Sequence, residues 1–149
     1  MMTILGQTIA ACIGTVAFSL LFGIPKQFYP YCGVIGAAGW LVYSLLDTYT
    51  FFSAAEATFA ATMVVILLSR MTAVRAKCPV TVFLISGIFP LVPGGGIYWT
   101  AYYLVTDQTS LAVSYGFSAI KAAIAIVLGI VAVFEFPGRW FLWAKGKSK

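Results

Sequence analysis

The sequence predicts an all-α polytopic membrane protein with five transmembrane helices, the fourth of them discontinuous. Of the 149 residues, 62% are hydrophobic and 9% are charged, whereas soluble domains average about 45–50% apolar and about 25% charged residues. Several uncharged stretches are long enough to cross a hydrocarbon layer of about 30 Å. One of these stretches contains a cluster of proline and glycine residues. The chain has too few charged side chains to solvate a globular domain.

Uncharged stretches predict the individual spans. Residues 1–24, 27–46 and 78–106 carry no charge, and each predicts one crossing. Two further stretches each contain one ionisable residue, Glu56 or Lys121, and without it their apolar runs would be too short to cross. The predicted spans are 3–22, 31–46, 51–69, 80–104 and 111–134, within a membrane domain of residues 1–136 that precedes a basic and aromatic tail, 137–149.

The distribution of basic residues predicts the orientation. Five crossings place Lys26, the basic stretch 70–77 and the tail on one face, while the opposite face receives no Lys or Arg. The positive-inside rule then puts the N-terminus outside and the C-terminus in the cytoplasm. Splitting the fourth segment into two crossings would move the tail to the other side. A cleavable signal peptide is disfavoured because no positive charge precedes Lys26.

Residue content also narrows the function. The chain has no His, and Cys12, Cys32 and Cys78 are far apart, which excludes His-based triads and argues against structural zinc. We therefore predict no catalytic residues, no metal, no cofactor and no enzymatic activity. The basic residues lie where membrane proteins place them, so we expect no nucleic-acid partner. Two of the cysteines are predicted to face a reducing cytoplasm, and no disulfide is expected.

The fourth span carries the most specific local feature, the sequence IFPLVPGGGIY at residues 88–98. Pro90 and Pro93 remove amide donors, and three consecutive glycines disfavour a helix, so no regular helix should persist from residue 90 to 96. A broken helix presents free carbonyls at one end and free amides at the other. The amide end, near residues 96–99, suits a carboxylate, and transporters use this arrangement. The alternative is a kink or a re-entrant turn without a ligand.

Glu56 and Lys121 are the ionisable residues predicted to lie deep in the spans. At 1.5 Å per residue they are expected about 8 and 15 Å below the outer surface. Because burying such charges in lipid costs free energy, both should face the interior, a cavity or each other. We hypothesise that Lys121 neutralises a carboxylate substrate and that Glu56 is its counter-ion or a proton carrier. A structural ion pair or two snorkelling side chains is the alternative.

Small residues recur every four positions on three predicted spans. Such faces let helices approach closely, and several of them in a small bundle leave surface for a partner, so we expect an oligomer. Packing within the subunit is the alternative for any single stripe. The stripes are Gly6, Ala10 and Gly14; Gly33 and Ala37; Ser114, Ser118 and Ala122.

The runs FGIPKQFYPYCGVIGAAGWLVYSLL at 22–46 and RAKCPVTVFLISGIFPLVPGGGIY at 75–98 resemble the second half of the threonine/serine exporter family, as found in its small YjjB-like subunits. The resemblance covers most of the chain from about residue 20. It implies a subunit of a secondary exporter of small carboxylates, acting with a larger YjjP-like subunit in the bacterial inner membrane. Threonine and serine are the substrates implied by fused members, and succinate by the split pair. A non-transporting assembly or channel-like subunit is the alternative.

The resemblance also bears on the site. It implies that residues 90–98 are important for substrate binding, and it gives no role to Glu56 or Lys121. The predicted substrate-binding residues are Pro90, Pro93, Gly94, Gly95, Gly96 and Tyr98, with Lys121 added from the charge argument alone.

Overall fold

The computed structural model of the chain describes residues 2–135, and this part consists of helices and their connections, without strands. The predicted tail, 137–149, lies outside the described residues. The helices are α1 (Met2–Leu21), α2 (Tyr29–Tyr49), α3 (Ala54–Ala76), α4 (Thr81–Ile88), α5 (Gly94–Val105) and α6 (Thr109–Phe134). A short 3-10 turn at Lys26–Phe28 precedes α2, and another at Phe89–Leu91 follows α4.

The described residues contain four to five candidate membrane spans. Helices α1, α2, α3 and α6 are each long and apolar enough to cross a bilayer. The segments Thr81–Leu91 and Gly94–Val105 meet this test only together, and they are bent by 50° at a short break. Five spans result if this bent pair is one crossing. The all-helical class is confirmed, and the orientation of the termini stays a prediction.

The predicted bounds of the third span, 51–69, were wrong at both ends. Helix α3 begins at Ala54, where Ser53 caps it, and continues to Ala76. Most of the predicted basic loop, 70–77, is therefore helix, because arginine and alanine are good helix formers. The long arginine side chains can carry their charges beyond the apolar layer. The helix ends at Lys77, whose φ of 53° is left-handed.

Glycines on α2 and α4 bring four helices close together. A Cβ at Gly33 would lie 3.0 Å from the side chains of Cys12 and Val16 on α1. On α4, a Cβ at Gly87 would lie 2.8 Å from Ile35 of α2. The resulting core of α2, α3 and α4 includes buried Cys32, Ile35, Val65, Phe83 and Leu91. By contrast, Gly6 and Gly14 on α1 have no neighbours within 4 Å of an added Cβ, so that predicted stripe is unpacked within the described residues.

Helices α5 and α6 form a hairpin in which α6 packs against α3. Gly96 of α5 packs against Ala119 of α6, and α5 has little contact with the other described helices. Lower on α6, Gly129 packs against Thr62 of α3, and Val133 accepts a hydrogen bond from Arg70. These contacts place α3 and α6 in the same direction, with residue 121 level with residue 54. Helix α6 starts twelve residues before that level, or about 18 Å beyond the start of α3.

Candidate functional site

The break in the fourth span is shorter than the sequence predicts. Phe89–Leu91 forms a 3-10 turn, Val92 and Pro93 leave the helical conformation, and α5 begins at Gly94. The prediction that no helix persists through residue 96 was therefore wrong for the three glycines. They occupy the first turn of α5, where backbone amides have no acceptor within their own helix. Pro93, at the N-cap, therefore removes no hydrogen bond from the helix.

A cavity of about 340 Å³ opens beside this break. Pro90, Pro93 and the three glycines form one wall, Trp40 and Tyr43 of α2 another. Ala54 and Thr58 of α3 and Ser118, Ala119 and Ala122 of α6 complete the lining, with no Asp, Glu, Lys or Arg among these residues. Its volume lies within the range of about 300–1,000 Å³ typical of small-molecule sites. The cavity therefore joins the break to three other helices.

Backbone amides supply the donors at the start of α5, and Trp40 lines the same cavity. Gly94 N donates to Val92 O at 2.7 Å and Ile97 N to Pro93 O at 3.1 Å, which leaves the amides of Gly95 and Gly96 as the first-turn donors of α5. The partial positive charge of the helix N-terminus adds to them. Trp40 Nε1 is buried without a hydrogen-bond partner in the described part of the chain. A buried unpaired donor costs about 1–3 kcal/mol, so these groups together suit an acceptor such as a carboxylate.

A sequence comparison decides the family. The family model described as "Threonine/Serine exporter, ThrE" matches residues 7–135 of the 149. The chain belongs to the threonine/serine exporter family. No curated protein and no solved structure matches it. Together with its apolar helices, this membership makes it a multi-pass membrane protein of a transporter family.

In this exporter-family protein, the structure brings together five of the predicted binding residues. Pro90, Pro93 and the glycines at 94–96 all line the cavity at the break. Tyr98 does not, because it lies on an exposed side of α5, where its ring neighbours those of Trp99 and Tyr102. Lys121 does not either, since it lines a second cavity, of about 510 Å³, between α3 and α6.

Glu56 lies in the first turn of α3, because the helix begins at Ala54 and not at the predicted residue 51. Its carboxylate Oε2 accepts a hydrogen bond from Ser53 N at 2.7 Å, and Glu56 N donates to Ser53 Oγ at 3.4 Å. This reciprocal pair is a capping box, which satisfies two amides at the helix start. The sequence Ser-Ala-Ala-Glu at 53–56 carries that signature. Glu56 lines the second cavity together with Lys121, on the side away from the break.

Lys121 lies near the middle of α6 and is exposed. Its ammonium lies 4.6 Å from the centroid of the Phe117 ring, one turn earlier on the same helix. No salt bridge with Glu56 is found within residues 2–135. The two charges predicted to face a cavity do so, and it is the same cavity.

Sequence reasoning missed Trp40 as a site residue of this family member. Its neighbour Gly39 packs against Val65 so closely that α2 and α3 bring the indole to the cavity wall. An apolar span offers no local signal for this, because the orphaned Nε1 emerges only from tertiary packing. Thr58 is at the cavity too, but its hydroxyl donates to Ala54 O within its own helix at 2.7 Å.

Proposed function

We propose that the chain is the small membrane subunit of a secondary exporter and that the cavity at the α4–α5 break binds its substrate. One observation carries this proposal: the first turn of α5 and the Trp40 side chain line a cavity whose lining residues carry no charge. The proposal adds the unpaired Trp40 Nε1 as a further donor. Such an arrangement presents donors to a carboxylate without a counter-ion. Membership in the threonine/serine exporter family supports transport as the activity.

The uncharged lining favours a zwitterionic amino acid as substrate. The amides at the start of α5 suit a carboxylate, and the carbonyl end of the preceding 3-10 turn at Phe89–Leu91 suits an ammonium group. Ser118 offers a hydroxyl to a polar substrate side chain. A dicarboxylate such as succinate would bring two negative charges into a cavity without a cation. Threonine and serine are therefore the proposed substrates, and succinate is the competitor to be tested.

The proposed transporter includes a larger YjjP-like subunit in the bacterial inner membrane. Helix α5 has no buried residues and packs mainly against α6, which leaves a surface for a second membrane half. Export is proposed to be driven by an ion gradient, with the N-terminus outside and the C-terminus in the cytoplasm, as the basic residues predict.

Reconstitution tests this function. Proteoliposomes containing this chain and the larger subunit are expected to transport radiolabelled threonine when an ion gradient is imposed, and liposomes with either subunit alone are not. Unlabelled serine should compete, and succinate at equal concentration should not. Equal threonine transport by the larger subunit alone would overturn the transport role and favour an assembly subunit. Competition by succinate in place of serine would overturn the proposed substrate class.

Substitution of Trp40 by phenylalanine is expected to raise the KM for threonine about tenfold or more, because a hydrogen bond to a charged group contributes about 1.5–3 kcal/mol. The ring volume is largely kept while the Nε1 donor is lost. The matched control is Trp99→Phe, since Trp99 lies in the aromatic cluster of α5 and not in the cavity lining. Initial transport rates over a range of threonine concentrations measure the effect. An unchanged KM in Trp40→Phe would remove the indole from the site.

A further inference from the structure

The second cavity holds two opposite charges that the described part of the chain does not pair. It is a groove between α3 and α6, with the Glu56 carboxylate on one side and the Lys121 ammonium on the other. The capping bond to Ser53 N holds Glu56 at the first turn of α3. Lys121 is turned toward the Phe117 ring, as expected for a helical side chain that leans toward the helix N-terminus. The groove thus separates two charges that lie at one level.

Exposed apolar side chains surround this level on both sides. Along α6, Val113, Phe117 and Ile120 precede Lys121, and Ile124 and Val131 follow it, all at least 50% exposed. Lys121 is also twelve residues from the start of α6 and thirteen from its end, or about 18 Å from either. A lysine in such a position cannot extend to a helix end, and an uncompensated charge within an apolar layer is costly. A carboxylate at the same depth would compensate the charge of Lys121.

We propose that this groove is the interface between two copies of the chain. Two copies in one membrane share an orientation, so a two-fold axis along the membrane normal keeps every residue at its depth. Because Glu56 and Lys121 are level, that axis brings Lys121 of each copy to Glu56 of the other and forms two equivalent ion pairs. Such an isologous contact requires a self-complementary surface, which one positive and one negative charge across a groove provide.

The floor of the groove permits this approach. Ala55, Ala60 and Ala125 line it, and such small residues allow helices of two subunits to pack closely in a membrane. The Ser53 amide bonds only one oxygen of the Glu56 carboxylate, Oε2, so Oε1 is the acceptor for the second copy's lysine. A phospholipid headgroup fits less well, since its phosphate would have to enter the apolar layer beside Ile120 and Ile124. The inference does not rest on the proposed transport function.

Charge reversal distinguishes pairing between copies from pairing within one. Chains carrying K121E alone or E56K alone are expected to lose at least about tenfold in dimer fraction, because the groove then holds two like charges. When the two single variants are co-expressed with different affinity tags, each charge meets its opposite in a mixed dimer. Mixed dimers should then form at the wild-type level in native membranes, while same-variant dimers stay depleted. The chain with both changes should dimerise with itself.

Each other outcome overturns the proposal. Wild-type dimerisation by the single variants would show that the charges are not at the interface. Recovery in the double variant without recovery on mixing would show pairing within one chain. A wild-type chain that is monomeric in its membrane, by co-purification of two tagged copies, would exclude the interface altogether. None of these measurements uses transport, so such a failure leaves the proposed function standing.

A cross-linking measurement with the charges intact covers the case that a reversed variant does not fold. In a chain without Cys12, Cys32 and Cys78, Ile124→Cys in the groove is expected to form a cross-linked dimer with a short thiol reagent. The control is Ala123→Cys, exposed at nearly the same depth but about 100° around α6 from Ile124. Equal cross-linking at both positions, or none at Ile124→Cys, would overturn the interface.

Discussion

Threonine transport is expected to fall about tenfold or more in Gly95→Val, since losing about 1.4 kcal/mol of binding free energy reduces affinity tenfold. A Cβ at Gly95 meets nothing within 4 Å, so a side chain there would enter the cavity without a clash. It would also cover the first-turn amides of α5. The substitution therefore separates the site from the fold. Transport by proteoliposomes containing both subunits is the measurement.

The control for this substitution is Gly6→Val on α1. An added Cβ at Gly6 also meets nothing within 4 Å, but this residue is outside the lining of the cavity. Gly6→Val should transport at the wild-type rate. Both variants should co-purify with the larger subunit as the wild type does. Wild-type transport by Gly95→Val would remove the α5 start from the site, and loss of the complex in that variant would instead indicate an assembly role.

The second large effect is expected on the thermal stability of the folded protein. In Gly36→Ala the new methyl group would overlap the Thr15 side chain of α1, which is fully buried and bonded to Ala11 O. Overpacking of this kind typically costs about 1–3 kcal/mol. Cys32 is also fully buried, so after removal of Cys12 and Cys78 its reaction with a thiol-reactive dye reports unfolding. The midpoint of thermal unfolding in detergent should fall.

Two further variants test the cause. Thr15→Gly combined with Gly36→Ala should recover part of the lost midpoint, because the overlapping atoms are removed. Gly14→Ala, where an added Cβ has open space, should leave the midpoint near the wild-type value. A Gly36→Ala protein as stable as the wild type would contradict the packing of α1 on α2. So would a double variant no more stable than the single one.

The lengths of the uncharged stretches were sufficient to predict that the chain is helical and where most spans lie, since a bilayer requires long uncharged stretches. The prolines at 90 and 93 located the break in the fourth span. Neither observation predicted that Gly94 to Gly96 would be helical. That outcome depends on position: glycine disfavours a helix interior, but at the first turn the amides lack partners in any sequence. Propensity alone does not show which turn of a helix a residue will occupy.

The two charges illustrate a second limit. Lys121 is near the middle of its helix, as charge spacing predicts. Glu56 was predicted to lie five residues into its span because the span was started at residue 51, although Ser53 and Glu56 carry the capping-box pattern that begins α3 at Ala54. That the two residues share a groove follows from the register of α3 against α6, set by Gly129 and Thr62. Long-range register of this kind is not encoded in local spacing.

The candidate cavity lies between α2 and α3 on one side and the α5–α6 hairpin on the other. Trp40 and Thr58 belong to the packed layer, whereas Gly95 and Ser118 belong to the hairpin. The hairpin connects to the layer through Val92 and Pro93 and through the packing of α6 on α3. Any rocking of the hairpin about that connection changes the width of the cavity. The same tilt would therefore tighten or loosen the contacts of a bound solute with both walls of the cavity.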